Sequence, residues 1–219
     1  MRLFIALVAL LLAPVSASAA ELTMRVSDQE VQYGAQFRVT GKLTQTGVPL
    51  PGQVVELQAR KYPFTGPLVR IATTTTALDG TYSFRPKFSR NVRLNAFAPA
   101  QSVNTGELPA YVFPRPRSTF KGLPRSRLRI TQLLTTPRGV RLTAPSFFYL
   151  GPRGASTGRR VARALPHRIA RGRFKASAVV RLPRSFRGRF RFASCFLYSP
   201  GSGMGNPRAR CPRKWRFSP

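Results

Sequence analysis

The sequence predicts an all-β protein built from two antiparallel β-sandwiches in tandem. Short segments of alternating apolar and polar residues recur at intervals of roughly 8–12 residues, separated by glycine- or proline-containing turns. No long stretch carries the apolar period of an amphipathic helix. Hydrophobic residues make up 42% of the 219-residue chain, which is enough for a folded core and atypical of a disordered protein.

Each predicted strand is placed by its own alternation, and Asp79-Gly80 marks a tight turn between two of them. The strands predicted before residue 114 are 22–26, 36–43, 55–60, 68–77, 81–85, 92–96 and 110–113. Those predicted after it are 128–133, 140–143, 147–150, 173–182 and 188–198. The segments 54–57 and 80–84 resemble 147–150 and 172–176, which predicts a degenerate internal repeat.

Residues 1–20 have the features of a cleaved secretory signal peptide. Arg2 precedes 11 apolar residues (3–13), and Ala17-Ser18-Ala19 fits the small-residue cleavage pattern. A membrane-spanning helix needs about 20 apolar residues, so this run is too short to be an anchor. The sequence therefore predicts a secreted, extracellular or envelope-associated protein with no transmembrane segment after cleavage.

The two cysteines, Cys195 and Cys211, both lie in the predicted exported part. An even pair in an oxidising compartment favours a disulfide. The alternatives are two free thiols or half of a metal site, and the lack of a nearby histidine argues against zinc. The glycine-rich segment 201–205 between the cysteines lacks a phosphate-loop context and is predicted to be a flexible loop.

Charge divides the mature chain into two parts. All six acidic residues lie at or before Glu107, whereas 26 of the 37 Lys and Arg residues follow it. The Pro-Arg-Pro-Arg-Ser run at 114–118 predicts a stiff linker. The predicted domains are therefore 21–117 and a basic, disulfide-bonded β-rich domain, 118–219.

The acid-free half is predicted to bind polyanions. In the strand 188–198, phenylalanines alternate with arginines, which favours a buried Phe face and a solvent-facing Arg face over base stacking by Phe190 and Phe192. The residues predicted to contact a polyanion are Arg187, Arg189, Arg191, Arg208, Arg210, Arg213, Lys214 and Arg216. Codon bias is a competing explanation for Arg over Lys, although it leaves the missing acids unexplained. Trp215 is interpreted as a packing residue, with an exposed sugar-stacking ring as the alternative.

The segment 33–97 resembles the carboxypeptidase regulatory-like and bacterial Ig-like domains of secreted proteins. The resemblance rests on Gly-x-Leu at 41–43, Pro-Leu-Pro-Gly-Gln-Val-Val-Glu-Leu at 49–57 and Asp-Gly-Thr-Tyr-Ser-Phe at 79–84. It implies a seven-stranded Ig-like sandwich that serves as an accessory, spacer or binding module. Together with the repeat, it predicts two Ig-like antiparallel β-sandwich domains in tandem.

The sequence contains few residues that could form a catalytic site. His167 is the single histidine, and no acidic residue lies near it in the chain to complete a Ser-His-Asp triad. Cys195 is assigned to the disulfide rather than to nucleophilic catalysis. Asp28 and Glu30 are the sole closely spaced acids, too few for a calcium site. The sequence predicts no catalytic residues, no cofactor and no metal site.

These observations favour a secreted, non-enzymatic structural, adhesive or spacer protein at the cell envelope. Its cationic half is expected to contact anionic envelope polymers or polysaccharide, and export argues against a specific nucleic-acid partner. The alternatives are a specific carbohydrate-binding module, in which aromatic rings supply affinity, and an unrecognised enzyme or enzyme accessory domain.

Overall fold

The computed structural model describes residues 19–183, 186 and 190–217. Within those residues the backbone consists of strands, turns and loops, with 3-10 conformation at Pro99–Gln101 and at Phe186. The prediction of an all-β protein is confirmed. Nearly all of the predicted signal peptide falls outside the described residues, and its removal stays a prediction.

Ten strands in the first half form two sheets. They are β1 Ala20–Val26, β2 Glu30–Gln32, β3 Val39–Gln45, β4 Val48–Pro49, β5 Val54–Lys61, β6 Val69–Thr75, β7 Thr81–Phe84, β8 Val92–Ala98, β9 Val103–Asn104 and β10 Leu108–Phe113. Strand β3 is central in a four-stranded sheet, with β1 on one side and β4 and β7 on the other. The second sheet has the order β2-β10-β8-β5-β6, and β9 also pairs with β8.

Ten more strands follow from residue 115. They are β11 Arg115–Leu123, β12 Arg127–Thr135, β13 Ser146–Pro152, β14 Thr157–Ala164, β15 His167–Ala170, β16 Arg173–Arg181, β17 Phe190–Cys195, β18 Tyr198–Ser199, β19 Met204–Gly205 and β20 Lys214–Arg216. They form two four-stranded sheets, β11-β12-β16-β15 and β17-β13-β14-β20, and a small ribbon of β18 and β19.

Alternation along the strands buries one face of each main sheet. In β1, for example, Leu22, Met24 and Val26 are buried while the residues between them are exposed. Apolar residues of both first-half sheets share one core, to which Leu134 and Phe174 of the second half also contribute. Other apolar residues of the two second-half sheets share a second core. Two sheets that pack over a shared core are the arrangement of a β-sandwich, as the alternation predicts.

One strand pairing departs from the predicted antiparallel arrangement. Strand β2 runs parallel to β10, because the chain leaves the first sheet after β1 and enters the second sheet at Glu30. The crossing is held by two backbone hydrogen bonds: Ser27 N–H donates to the Arg38 carbonyl (3.0 Å), and Tyr111 N–H donates to the Gln29 carbonyl (2.7 Å). The N-terminal segment therefore contributes to both sheets of the first half.

Two predictions made from local pattern are wrong. Residues 140–143 form a loop rather than a strand, although Val140 and Leu142 are buried. The predicted linker is instead the start of β11, which pairs with β12 along nine residues. Pro116 is tolerated there because β11 is the edge strand of its sheet, where a missing N–H costs no ladder bond. The domain boundary placed after Arg117 falls inside this strand and stays a prediction.

Gly41 and Tyr82 belong to the segments 41–43 and 79–84 on which the predicted family resemblance rests, and they are partners across β3 and β7. The buried Tyr82 ring covers Gly41, and its hydroxyl donates to the Thr23 carbonyl on β1 (2.5 Å). A Cβ at Gly41 would overlap both that ring and the Thr23 carbonyl oxygen. Burial raises the pKa of the Tyr82 hydroxyl, so the group stays a hydrogen-bond donor. The spacing of this motif is thus a packing requirement across three strands.

The turns at Gly80 and Gly172, predicted to correspond in the repeat, share their geometry. Both glycines have positive φ (+77° and +68°), and at both a Cβ would lie 2.6 Å from a backbone carbonyl oxygen. Each also accepts a backbone hydrogen bond through its own carbonyl, Gly80 from Leu43 (3.0 Å) and Gly172 from Thr136 (2.8 Å). A side chain is excluded at both positions for the same reason.

The prediction of a flexible loop at 201–205 is wrong. Residues 202–205 are buried, and Met204 lies in the first-half core with 0% exposure. Asn91, on the first half, holds the segment: its backbone N–H donates to the Gly203 carbonyl (2.7 Å) and its amide Nδ2 donates to the Gly205 carbonyl (2.8 Å). Three glycines with positive φ shape the turn that delivers Met204. The second half is therefore anchored in the core of the first.

Candidate functional site

The outward face of the β11-β12-β16-β15 sheet carries a concentration of positive charge. Directly paired residues in antiparallel strands point to the same side of the sheet. Arg115 pairs with Thr135, and Thr135 pairs with Arg173. In the next row, Leu133 lies between Arg117 and Lys175.

Extending the same register along the sheet defines the basic face. Its eight cations are Arg115, Arg117, Lys121, Arg127, Arg129, Arg173, Lys175 and Arg181. Seven are exposed and Lys175 is half-buried. The opposite side of the sheet carries Leu128, Ile130 and Leu134, which are buried. The fold thus places the cations of β11, β12 and β16 on one side of the sheet and buried apolar residues on the other.

No acidic side chain neutralises this face from within its own half, because none follows Glu107. The ion pairs in the described part of the chain are Arg60–Glu107 (2.7 Å) and Arg70–Glu56 (3.0 Å), both in the first half. Cations on one strand are spaced by about 7 Å, and those on β11 and β16 by about 10 Å. In two rows a neutral residue of β12, Thr135 or Leu133, separates the cations of β11 and β16, which limits direct repulsion between them. The next row, at Thr131, carries no cation.

A shallow hollow of about 370 Å³ lies at one end of the basic face. Arg115, Arg117 and Arg173 line it, together with Leu133 and Thr135. Guanidinium groups bind phosphate and carboxylate oxygens through paired N–H donors. This end of the sheet therefore offers three anion-binding groups around one hollow.

The residues predicted from sequence to bind polyanions do not form one surface. Arg187 and Arg189 lie outside the described residues. Arg191 is on the outward side of the other sheet, with its guanidinium carbon 5.0 Å from the centre of the Phe217 ring. Arg208 lines a different cleft, and Arg210 donates to the carbonyls of its own loop, Pro207 (2.7 Å) and Ala209 (3.0 Å).

Of the other three predicted residues, Lys214 and Arg216 lie in strand β20 near the C-terminus, and Arg213 directly precedes it. Arg213, Lys214 and Arg216 are exposed, and Lys214 lies opposite Arg159 where β20 pairs with β14. The alternation predicted for β17 is confirmed over Phe190–Cys195, since Phe190 and Phe192 pack on the second core while Arg191 points away from it. The predicted residues do not share one surface because the C-terminal segment crosses the sheet, which places β17 at one edge and β20 at the other.

The predicted disulfide between Cys195 and Cys211 is present, with the two Cα atoms 5.8 Å apart. It fixes the C-terminal segment over the outward side of the β17-β13-β14-β20 sheet. The Tyr149 hydroxyl donates to the Pro212 carbonyl (2.6 Å), and Arg160 Nη2 donates to the Cys211 and Pro212 carbonyls (2.8 and 2.9 Å). Burial raises the pKa of the Tyr149 hydroxyl.

Trp215 packs against the Tyr149 ring at a centroid distance of 5.4 Å, as predicted. It also lines a groove of about 230 Å³ between the two halves of the chain. In that groove Gln132 Nε2 donates to Ser194 Oγ (2.7 Å). Trp215 is half-buried, so its emission reports on the position of the C-terminal segment.

Removing the disulfide is expected to lower the free energy of unfolding by about 3 kcal/mol, because it closes a loop of about 15 residues. Denaturant unfolding of the oxidised protein with and without dithiothreitol measures the loss, and Trp215 emission shows whether the C-terminal segment detaches. The control is the Cys195→Ser/Cys211→Ser double variant, whose unfolding must not respond to reductant. An unchanged midpoint on reduction of the wild-type protein would contradict this role.

His167 is exposed at the start of β15, opposite Lys175. Among the described residues, no group of three or more His, Cys, Asp or Glu side chains is placed to hold a metal ion. The described part of the chain also contains no helix that is long and apolar enough to span a membrane. The disulfide is compatible with an extracellular location.

No protein-family model and no curated protein matches the chain. Solved structures with partial likeness include Escherichia coli α2-macroglobulin in its native conformation, at 14% identity and a TM-score of 0.36, covering 84% of this chain and 13% of that one. Trypsin-activated E. coli α2-macroglobulin matches at 14% identity and a TM-score of 0.34, and the match covers 84% of this chain and 15% of that one. A Salmonella α2-macroglobulin mutant matches at 14% identity and a TM-score of 0.34, and the match covers 82% of this chain and 14% of that one.

The chain thus spans about one-seventh of the length of those proteins. Similarity at this level assigns neither a family nor a function to the chain. The resemblance to carboxypeptidase regulatory-like domains stays a prediction.

Proposed function

We propose that the chain is a secreted, non-enzymatic protein of two Ig-like β-sandwich domains that attaches to anionic polymers of the cell envelope. The basic face is the attachment surface, and the first half serves as a spacer or adhesive module. The observation that carries this proposal is the placement of eight cations on one side of one sheet, in a half of the chain without acids.

The chemistry of attachment is electrostatic. Each guanidinium or ammonium group that meets a phosphate or carboxylate of the polymer releases a condensed counterion, so affinity falls as salt rises. At physiological ionic strength the attraction is screened beyond about 8 Å, which makes direct contact with the polymer necessary. A regular sheet suits an extended polymer because its charged groups repeat along two directions.

The test compares two triple variants of the full chain with the same change in net charge. Arg117→Gln/Arg173→Gln/Lys175→Gln removes three cations from two adjacent rows at one end of the basic face. Arg25→Gln/Arg38→Gln/Arg85→Gln removes three exposed cations from the first half. Long-chain polyphosphate on beads and isolated cell envelopes serve as the two probes.

The basic-face variant is expected to bind polyphosphate about tenfold more weakly at 150 mM salt, and the slope of log affinity against log salt should fall by about two to three units. The first-half variant should keep most of the affinity. Equal losses in both variants would mean that net charge alone attracts polyanions. Binding to envelopes that resists high salt would overturn electrostatic attachment.

A further inference from the structure

A segment of the second half, residues 199–206, packs against the first half through Met204 and is called the docked segment below. A cleft of about 470 Å³ lies where this docked segment meets the outward side of the β2-β10-β8-β5-β6 sheet. Both halves build it, because Tyr62, Arg93 and Tyr111 come from the first half and Tyr198 and Arg208 from the second. It is remote in sequence from the basic face and shares no residue with it.

The walls of the cleft are aromatic. Tyr62, Phe64, Tyr111 and Tyr198 line it, and the Tyr62 and Phe64 rings meet edge to face with centroids 5.7 Å apart. Gly203 packs directly against Tyr62: a Cβ there would lie 2.6 Å from Tyr62 Cδ1. The Tyr62 wall is therefore held by the docked segment. Rings with one free face form stacking platforms for flat or ring-shaped ligands.

The charges of the cleft leave two cations without an acid. Arg93 lies over the Phe64 ring, with its guanidinium carbon 5.1 Å from the centroid, and Arg208 is exposed at the edge. Neither takes part in an ion pair among the described residues. The one acid lining the cleft, Glu107, is already paired with Arg60 (2.7 Å). The balance of charge therefore favours an anionic ligand.

Glu107 is already committed within the wall of the cleft. Its Oε1 accepts from Arg60 Nη2, and its Oε2 is buried beneath the surface, as is Arg60 Nε. The carboxylate therefore leaves Arg93 and Arg208 free for a ligand, and a ligand for this cleft needs a ring face and a negative charge.

We propose that this cleft binds an acidic sugar, a pyranose residue that carries a carboxylate. Its ring stacks on the tyrosine wall, and its carboxylate meets Arg93 and Arg208. A neutral sugar would leave both arginines unpaired, and a free inorganic anion would leave the rings unused. The site does not rest on the basic face, and either can fail without the other.

The binding experiment uses trigalacturonic acid as the probe, titrated into the full-length protein by calorimetry at 300 mM NaCl to weaken long-range attraction. Maltotriose, which has no carboxylate, and inorganic phosphate are the comparison ligands. Saturable binding of trigalacturonic acid, at least tenfold tighter than either comparison ligand, is the expected result. Equal binding of maltotriose would overturn the acidic specificity, and no binding of any of the three would overturn the site.

Variants separate this cleft from the basic face. Arg93→Gln/Arg208→Gln is expected to weaken trigalacturonic acid binding at least tenfold while leaving polyphosphate retention close to that of the wild type. Arg117→Gln/Arg173→Gln/Lys175→Gln should show the reverse pattern. Arg25→Gln/Arg38→Gln, two exposed cations on the first half, is the charge-matched control and should change neither. If the basic-face variant lost the trisaccharide as strongly as the cleft variant, the cleft would not be the site.

Discussion

Asn91→Ala is expected to lower the free energy of unfolding by about 4 kcal/mol, because it leaves two buried backbone groups without partners. Asn91 is 4% exposed, its Nδ2 donates to the Gly205 carbonyl (2.8 Å), and its Oδ1 accepts from Val112 N–H (2.9 Å). The side chain thus joins the docked segment of the second half to strand β10 of the first. Its loss should release that segment and abolish trigalacturonic acid binding in the cleft.

Asn104→Ala is the matched control for this change. Asn104 is exposed and accepts one hydrogen bond from Gly106 N–H (3.0 Å), so its replacement should cost less than about 1 kcal/mol. Chemical denaturation gives both values, and proteolysis with mapping of the cut sites shows whether segment 199–206 opens first. Similar costs for the two variants would mean that Asn91 does not latch the two halves together.

Gly41→Ala is expected to lower the free energy of unfolding by about 3 kcal/mol, because overpacking against backbone leaves little room for relaxation. The added methyl group would overlap both the Thr23 carbonyl and the Tyr82 ring, and would therefore separate β1, β3 and β7. The free energy of unfolding, from denaturant titration followed by circular dichroism, measures this cost.

Gly122→Ala makes the same chemical change in another strand, where a Cβ would meet no atom within 4 Å. It should be neutral or stabilising by a few tenths of a kcal/mol, because alanine restricts the unfolded chain. The difference between the two variants isolates the steric term from strand propensity. A Gly41→Ala variant as stable as Gly122→Ala would show that the first sheet can yield at this point.

Local alternation was sufficient to predict most first-half strands, because each is amphipathic by itself. It failed at β14, where Arg159 and Arg160 are adjacent and a bulge interrupts the register of β13 with β14. It also failed at β11, whose prolines and arginines are typical of a linker as well as of an edge strand. In both cases the conformation of the segment depends on the strand beside it, which the local sequence does not contain.

The basic face could not be predicted from one strand alone. It is formed by the pairing of β12 with β11 on one side and β16 on the other, and β11 and β16 are far apart in sequence. A usable signal was present nonetheless, since cations at Arg127 and Arg129, and at Arg173 and Lys175, alternate as they do on a strand face. The docking of Met204 left no such pattern, because a glycine-rich turn looks the same whether it is buried or exposed.

Strand β11 lies at the edge of its sheet, and no other strand in the described part of the chain pairs with its outer side. An unpaired edge strand invites pairing with another copy, while the Phe120 ring is already packed on Phe190 and Phe192 of the same molecule. Arg115, Arg117 and Lys121 keep two such edges apart by mutual repulsion. A polymer that neutralises these cations removes the repulsion, so the same contact that attaches one molecule permits the next to line up beside it. Dense lateral arrays of the protein are therefore expected where the polymer is abundant, and dispersed molecules elsewhere.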